Sequence, residues 1–302
     1  MNAQIFIKFF NDMTTKKDLL YNFIFRASSN KKIRTYYHLL EPLFHAMSDN
    51  NMYLNLGYHF TTNSFPDSVV KTQENMVDIV TKNFIKNGNW LDVGCGTGAP
   101  ACYLAKLNEN ISILGINIVE PQIMKARNLA RTKNISTRAN FSLCDAHNIL
   151  SLDKKFQNIY AIESAFHFEN KQIFATSAYD ALEENGQIAI ADIIIKPELL
   201  SFFDFYKVLI AKHGLATKEF YTIEKWEKSL NRAGFRDISC EDITINVSTV
   251  LPKWIDLIQT NEKYLLNLYP KLFLDMLCKC LQYSADKKEQ SPFGYVVMRA
   301  NK

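Results

Sequence analysis

Between residues 89 and 194 of this 302-residue chain, short runs rich in β-branched residues alternate with stretches of helical periodicity. The pattern predicts strands at 89–93, 111–118, 139–144, 159–163 and 187–194. Helices are predicted between several of these strands, one of them ending at Leu107 and the others at about 121–132 and 170–182. Strands that alternate with helices form βαβ units with right-handed crossovers. The sequence therefore predicts an α/β fold, doubly wound and Rossmann-like, with a mostly parallel sheet.

Further segments flank this alternating region. Residues 1–60 carry apolar and aromatic residues at helical spacing, which predicts a helical N-terminal cap, and another helix is expected at 68–84. The remaining domain, 61–302, contains an aromatic helical segment at about 196–230 that we interpret as an inserted lid. Two late strands at 235–247 and 293–299, around a helical stretch at 254–281, would bring the sheet to seven strands.

Composition limits the classes of function. The net charge is only +4 and the basic residues are scattered, which argues against nucleic acid as a partner. The six cysteines form no CxxC pair, so reduced thiols and no metal site are expected. The N-terminal region does not resemble a signal peptide, and no apolar run is long enough to span a bilayer. These features predict a cytoplasmic protein.

A glycine-rich loop follows the first predicted strand. Residues 91–100 read LDVGCGTGAP, with glycines at 94, 96 and 98. Such glycines let the backbone pass close to a ligand, and the following helix offers free N–H groups. The dinucleotide fingerprint is G-x-G-x-x-G, and Ala99 occupies the place of its third glycine. Asp92 suits a cation, such as the ammonium and sulfonium of a methionine tail, and would repel pyrophosphate. Its alternative role is to cap the loop.

With this loop, the chain resembles the class I S-adenosylmethionine-dependent methyltransferases. More narrowly, it resembles the small-molecule group that includes the tocopherol and sterol C-methyltransferases and the sugar and polyketide O-methyltransferases. The resemblance covers roughly residue 55 to the C-terminus. It implies S-adenosyl-L-methionine as cofactor and S-adenosyl-L-homocysteine as product, while nothing in it is specific for the acceptor.

The resemblance also implies a set of cofactor-binding residues at the carboxyl ends of the strands. Asn117 would bind the ribose, with Glu120 as a rival, and Asp145 would bind the adenine amino group unless it only caps a turn. Ile118 would pack on the adenine, and Glu163 begins a Glu-Ser-x-x-His segment that lines the floor of the site. The full set is Asp92, Gly94, Cys95, Gly96, Gly98, Asn117, Ile118, Gln122, Asp145, Ala146 and Glu163.

His167, at the end of that segment, is the candidate general base, because histidine titrates near neutral pH. Asp192, inside the fifth predicted strand, is a carboxylate among apolar residues and needs a partner or a function. In related sugar O-methyltransferases an Asp near this place works with a His, so His167 and Asp192 are the catalytic candidates. Either could instead be structural.

The acceptor is expected to be a small and largely apolar molecule, methylated at oxygen with help from the base. Tyr58, Phe166, Phe203 and Tyr206 are the candidate lining of its pocket, although ordinary core packing explains aromatics equally well. Methylation at carbon or nitrogen remains an alternative. A nicotinamide-dependent oxidoreductase and a catalytically silent cofactor-binding protein are the alternatives from other functional classes.

Overall fold

The structure is a computed structural model that describes residues 29–48, 51–61, 66, 68–200, 208, 211–212, 214–287 and 290–302. A single sheet of seven strands organises this part of the chain, in the order β3-β2-β1-β4-β5-β7-β6. Only β7 runs antiparallel to its neighbours. The strands are β1 Gly88–Val93, β2 Ile111–Asn117, β3 Ala139–Leu143, β4 Phe156–Ile162, β5 Leu182–Ile195, β6 Arg236–Asp242 and β7 Phe293–Asn301. The predicted fold class is confirmed.

Helices cover both faces of the sheet and one of its ends. They are α1 Ser29–Met47, α2 Val69–Thr81, α3 Ala99–Leu107, α4 Glu120–Thr132, α5 Lys171–Ala181, α6 Ile223–Ala233, α7 Thr244–Ser248, α8 Leu251–Thr260, α9 Glu262–Leu265 and α10 Lys271–Lys287. Short 3-10 helices occur at Ala146–Leu152, Ala165–His167 and Pro197–Leu199. Within the described residues, no helix combines the length and the apolar character needed to cross a membrane.

The core lies on the two faces of the sheet. On one face, Trp90 and Tyr160 are buried beneath α2 and α3, and on the other Phe174 of α5 and Trp226 of α6 are buried against the sheet. Burial on both faces explains why the parallel strands read as nearly continuous apolar runs. A third apolar cluster joins α1, α8 and α10, with Trp254 at its centre. This cluster lies beside the site described below.

Three predicted segments differ from the structure. The strand predicted at 235–247 ends at Asp242, because the Asp242 carboxylate accepts a hydrogen bond from Thr244 N–H (2.9 Å) and α7 begins there. The helical stretch at 254–281 divides into α8, α9 and α10. Residues 223–230 of the expected lid lie in α6, which packs against α5 with Leu230 fully buried. That part of the segment covers the sheet.

Candidate active site

A cavity of about 760 Å³ lies at the carboxyl ends of β1, β2 and β4. This is where ligands bind in open α/β sheets. Asp92, Asn117 and Glu163 follow or end these three strands, and all three line the cavity. The opposite walls come from α1, α8 and α10, so the cavity has a polar end at the sheet and an apolar end between helices.

The glycine loop closes the cavity beneath β1. The N–H groups of Gly94 and Cys95 both donate to Ile116 O, at 2.8 and 3.0 Å, which ties the loop to β2. Gly94 has φ +79°, and a Cβ on it would lie 2.3 Å from Cβ of Ser164. Only glycine combines this backbone with this close approach.

Gly98 has a different role from the one that the resemblance implies. It does not line the cavity. Its φ is +80°, and a Cβ there would meet Phe141 at 2.6 Å and Ala126 at 2.7 Å. Gly98 therefore allows the start of α3 to pack closely against β3 and α4. It supports the loop from behind and does not face a ligand.

We expect the variant Gly94→Ala to destabilise the protein and to lose cofactor binding. The new methyl group would collide with Ser164, and a non-glycine residue at this φ costs about 1–3 kcal/mol by itself. Thermal unfolding and titration with S-adenosylhomocysteine measure the two effects. Gly214→Ala is the control for stability alone, since a Cβ there meets nothing within 4 Å, and exposed Glu109→Ala, outside the cavity lining, is the control for binding. Normal binding by Gly94→Ala would contradict this account of the loop.

Asp92 is buried at the tip of β1, with 2% of its surface exposed. Burial raises the pKa of its carboxyl to about 7, and the neighbouring Tyr160 hydroxyl opposes this shift. Its Oδ2 atom makes no hydrogen bond to any described residue. A buried carboxylate oxygen without a partner is costly. Because Asp92 also lines the cavity, this oxygen is suited to a cationic ligand group.

Asn117 and Gln122 form one hydrogen-bonded unit at the end of β2. Asn117 Nδ2 donates to Gln122 Oε1 (2.7 Å), while Asn117 Oδ1 accepts from the N–H groups of Ile118 and Val119 at 2.8 and 3.3 Å. Asn117 therefore holds the start of α4, and both side chains still line the cavity together with Ile118. Glu120, the rival for the ribose, is exposed and does not line this cavity.

Asp145 lies at the far side of the polar end of the cavity, and its carboxylate accepts three hydrogen bonds from two residues. It accepts hydrogen bonds from His147 N–H (2.8 Å), from His147 Nδ1 (2.6 Å) and from Asn30 Nδ2 of α1 (2.7 Å). These contacts, His147 first, hold the pKa of the Asp145 carboxyl well below its usual range. His147 Nε2 accepts a hydrogen bond from Asn170 N–H (3.1 Å). The Nδ1 atom therefore carries the ring hydrogen and donates the hydrogen bond to Asp145. Asp145 caps a turn and lines the cavity together with Ala146.

Glu163 follows β4 with φ +48°, which directs its side chain toward the cavity. Its Oε1 accepts a hydrogen bond from Leu56 N–H (2.6 Å). Burial raises the pKa of this carboxyl to about 7, while Tyr295 and the Leu56 N–H favour its ionised form. Glu163 and Asp92 are thus two carboxyl groups with raised pKa values on the same cavity.

His167 lies in the 3-10 turn after β4 and lines the cavity, where only 4% of it is exposed. Its Nε2 is 3.1 Å from the Tyr37 hydroxyl, and its ring is enclosed by Tyr36, Tyr37 and Phe166. Burial lowers the pKa of His167 to about 3, although the backbone of Ala216 opposes the shift. The imidazole is therefore neutral at physiological pH with one nitrogen unprotonated, and the titration near neutral pH that made His167 the candidate base is not found in this structure.

Asp192 is not brought to the cavity. It is 1% exposed, its Oδ1 accepts from Ile193 N–H (2.9 Å), and burial raises its pKa. Lys171 is the charged residue that most favours the ionised form of Asp192, and it is itself only 2% exposed. The predicted direct catalytic contact of Asp192 is therefore absent from this geometry.

The aromatic residues predicted to line the acceptor pocket divide into three groups. Phe166 lines the cavity as predicted, with its ring 4.0 Å from the His167 ring. Tyr58 is buried in the core beneath α2 and contacts Phe60, outside the cavity lining. Phe203 and Tyr206 lie outside the described residues. Core packing therefore explains Tyr58.

Sequence reasoning missed several residues of the site. Tyr37 was assigned only to an apolar helix face, although its hydroxyl meets His167 from a position 130 residues away in sequence. His147, two residues after Asp145, could have been identified from the tendency of an Asp to cap the backbone two residues later. Thr97 and Ser164 also line the cavity, and Ser164 Oγ donates to Val93 O (2.6 Å).

Comparison with known proteins identifies the class of enzyme. A family model described as a methyltransferase domain matches residues 85–234. Methyltransferase GfsG of Streptomyces halstedii is 28% identical over 207 residues, covering 62% of this chain and 73% of that protein. The 27-O-demethylrifamycin SV methyltransferase of Amycolatopsis mediterranei is 24% identical and covers 70% and 76%. Phosphoethanolamine N-methyltransferase 1 of Zea mays is 27% identical and covers 72% and 43%.

Solved structures show the same fold. The crystal structure of mycolic acid cyclopropane synthase CmaA1, complexed with S-adenosylhomocysteine, has a TM-score of 0.78 at 16% identity and covers 90% of this chain and 98% of that one. The strand order, the glycine loop and the buried acid define a class I methyltransferase. The chain belongs to the S-adenosylmethionine-dependent methyltransferases of small-molecule type.

Its cofactor is S-adenosyl-L-methionine, and the residues present fit that molecule. The cavity passes from the unpaired carboxylate oxygen of Asp92, past Asn117 and Ile118, to the Asp145–Ala146 corner. This order offers a negative group to a methionine tail, polar groups to a ribose and an acceptor to an adenine amino group. The glycine loop provides backbone that a side chain would otherwise obstruct.

Proposed function

We propose that this enzyme transfers the methyl group to an oxygen of a small, largely apolar alcohol, and that His167 accepts the hydroxyl proton. The single observation that carries the proposal is the position of the Nε2 atom of His167. It lies in the cavity, beside the cofactor residues, with only the Tyr37 hydroxyl as its partner among described residues. An alcohol needs such a proton acceptor more than an already nucleophilic carbon does.

The apolar end of the cavity supports an apolar acceptor. Phe44 and Met47 of α1 face Phe273, Leu277 and Leu281 of α10 across it. Although α10 has 17 residues and many apolar side chains, only Leu274 and Ala285 are buried. The remaining apolar side chains line the cavity or are partly exposed, which favours a ligand that covers them. We call this part, lined by α1, α8 and α10, the apolar chamber.

Each residue then has a stated role. S-adenosylmethionine, when bound, supplies an electrophilic methyl group on a sulfonium. Asp92 and Glu163 hold the positively charged end of that molecule, while Asn117, Asp145 and Ala146 position its nucleoside. The apolar chamber holds the body of the acceptor and excludes water. The acceptor hydroxyl takes the place of the Tyr37 hydroxyl beside His167 Nε2, and Nε2 receives the acceptor proton as the new carbon–oxygen bond forms.

Three small molecules with alkyl chains of the same length test which atom accepts the methyl group and whether the apolar chamber binds the acceptor. We expect methyl transfer, followed by mass spectrometry with deuterated methyl donor, to be fastest with 1-octanol and slower with octylamine and 1-octene. Leu277→Glu places a charge in the chamber and should abolish this turnover while leaving S-adenosylhomocysteine binding intact. Leu272→Glu on the same helix is the control, because Leu272 is 41% exposed and lies outside the cavity lining.

The outcomes separate the alternatives. Preferred transfer to octylamine or 1-octene would contradict the oxygen assignment and favour the N- or C-methyltransferase alternative. Cofactor binding without transfer to any of the three would contradict the apolar alcohol as substrate class. Equal effects of the two glutamate variants would contradict the chamber as the acceptor site.

A further inference from the structure

Lys171 is a buried lysine at the start of α5, and the proposed reaction does not use it. Only 2% of its surface is exposed, and it is absent from the cavity lining. Lysine is almost never fully buried without partners that compensate its charge. Because Lys171 cannot touch a ligand in the cavity, its effect must pass through the residues that it contacts.

Those contacts converge on the turn that carries His167. Lys171 Nζ donates to Phe166 O and Phe168 O, each at 3.2 Å, which are the carbonyls on either side of His167. Its third bond goes to Glu219 O (3.1 Å). The Thr217 hydroxyl also donates to Phe166 O. All three protons of the ammonium group are used, so the turn is attached to both α5 and the segment before α6.

Asp192 supplies the compensating charge. Asp192 is 1% exposed and outside the cavity lining, its Oδ2 atom has no hydrogen-bond partner among described residues, and Lys171 is the main charge that favours its ionised form. Asp192 in turn favours the ammonium of Lys171 against burial. The Lys171 ammonium therefore holds the turn that carries His167 through two backbone carbonyls, and Asp192, which is also buried and absent from the cavity lining, favours its charged form.

We propose that Lys171, balanced by Asp192, is a positioning residue that fixes the imidazole of His167 toward the acceptor. The proposal rests on the proposed function of His167. Its physical basis is that a short 3-10 turn has few bonds of its own, here His167 N–H to Ser164 O (3.1 Å) and Phe168 N–H to Ala165 O (3.0 Å). Small displacements of a catalytic group are expensive in rate.

The first test needs no acceptor. Protein labelled with ¹⁵N in its six histidines and saturated with S-adenosylhomocysteine is studied by NMR, with the His167 ring signals assigned by their loss in His167→Ala. We expect Lys171→Met to broaden or split the His167 signals, leaving those of His45 and His59 unchanged, and Lys171→Arg to restore a single sharp set. Lys302→Met is the matched control, since Lys302 Nζ also caps a carbonyl, Leu182 O (2.9 Å), outside the site.

The second test uses turnover of 1-octanol. We expect Lys171→Met to lower kcat roughly 10- to 100-fold with little change in KM or in S-adenosylhomocysteine affinity, from the loss of orientation. In a His167→Ala background the same substitution should have no further effect. The double variant Lys171→Met/Asp192→Asn removes both charges, so it guards against unfolding caused by a lone buried carboxylate, and it should show the same disturbed His167 signals.

Unchanged His167 signals in both Lys171→Met and Lys171→Met/Asp192→Asn would overturn the proposal. So would a loss of kcat caused by Lys171→Met that is equally large in the wild-type and His167→Ala backgrounds. These results differ from a failure of the proposed function. In that case His167→Ala keeps full turnover, while the NMR test of positioning still gives its own answer.

Discussion

Asp92→Asn should weaken the binding of S-adenosylmethionine and S-adenosylhomocysteine at least 30-fold, as measured by isothermal titration calorimetry. The substitution preserves shape but removes the negative charge whose Oδ2 atom lacks a partner among described residues. Removing one member of a buried charge pair costs about 2 kcal/mol or more, which corresponds to that factor. Asp78→Asn is the control, because Asp78 accepts only from the Tyr103 hydroxyl at the surface of α2 and lies outside the cavity.

The same carboxylate predicts a pH dependence of binding. Burial raises the pKa of Asp92 and of Glu163 to about 7, so both are partly protonated below neutrality. A cationic ligand binds the ionised forms, and affinity should therefore rise between pH 6 and pH 8, with proton release on binding. Asp92→Asn should remove the Asp92 share of this rise. An affinity that is flat over this range in the wild-type protein would contradict the placement of the cation beside these groups.

In the unliganded protein the pH dependence has the opposite sign, because the free energy of unfolding falls as the pH rises. A carboxyl whose folded-state pKa lies above its unfolded value binds more protons when folded, so its contribution to stability is present at low pH and is lost as pH rises toward 7. Thermal unfolding should accordingly show stability falling from pH 5 to pH 7 less steeply in Asp92→Asn. Saturating S-adenosylhomocysteine should offset the loss, because it binds the ionised folded state.

His167→Ala should lower kcat for an alcohol acceptor by roughly 100- to 10,000-fold, the usual contribution of a general base. Cofactor affinity should change little, since the neutral imidazole lies beyond the residues assigned to the cofactor. Tyr37→Phe should cost far less, because it removes a hydroxyl that the acceptor replaces at Nε2 and leaves the imidazole in place. Single-turnover kinetics with saturating 1-octanol separate the chemical step from binding.

Full turnover of 1-octanol by His167→Ala would show that another group, or water, takes the proton. A fall in cofactor affinity as large as the fall in kcat would instead assign His167 to binding. Phe166→Leu is a useful comparison, because it changes the packing of the imidazole without removing either of its nitrogens.

The alternation of strands and helices, the glycine loop and the acid at its start were all readable from the sequence, because each depends on residues within about ten positions. Strand and helix periodicity reports burial on sheet and helix faces. The spacing of Gly94, Gly96 and Asp92 reports a local backbone path. These features were enough to predict the seven-stranded sheet, and the resemblance of the loop to class I methyltransferases implied the methyl donor.

Contacts between distant residues were decided only by the tertiary structure. Tyr37 meets His167 across 130 residues, and Asn30 donates to Asp145 across 115. Gly98 packs against Phe141 and Ala126, and Asp192 is buried near Lys171, outside the cavity lining. Such placements depend on which side chains the packed elements bring together, and local periodicity carries no information about that choice.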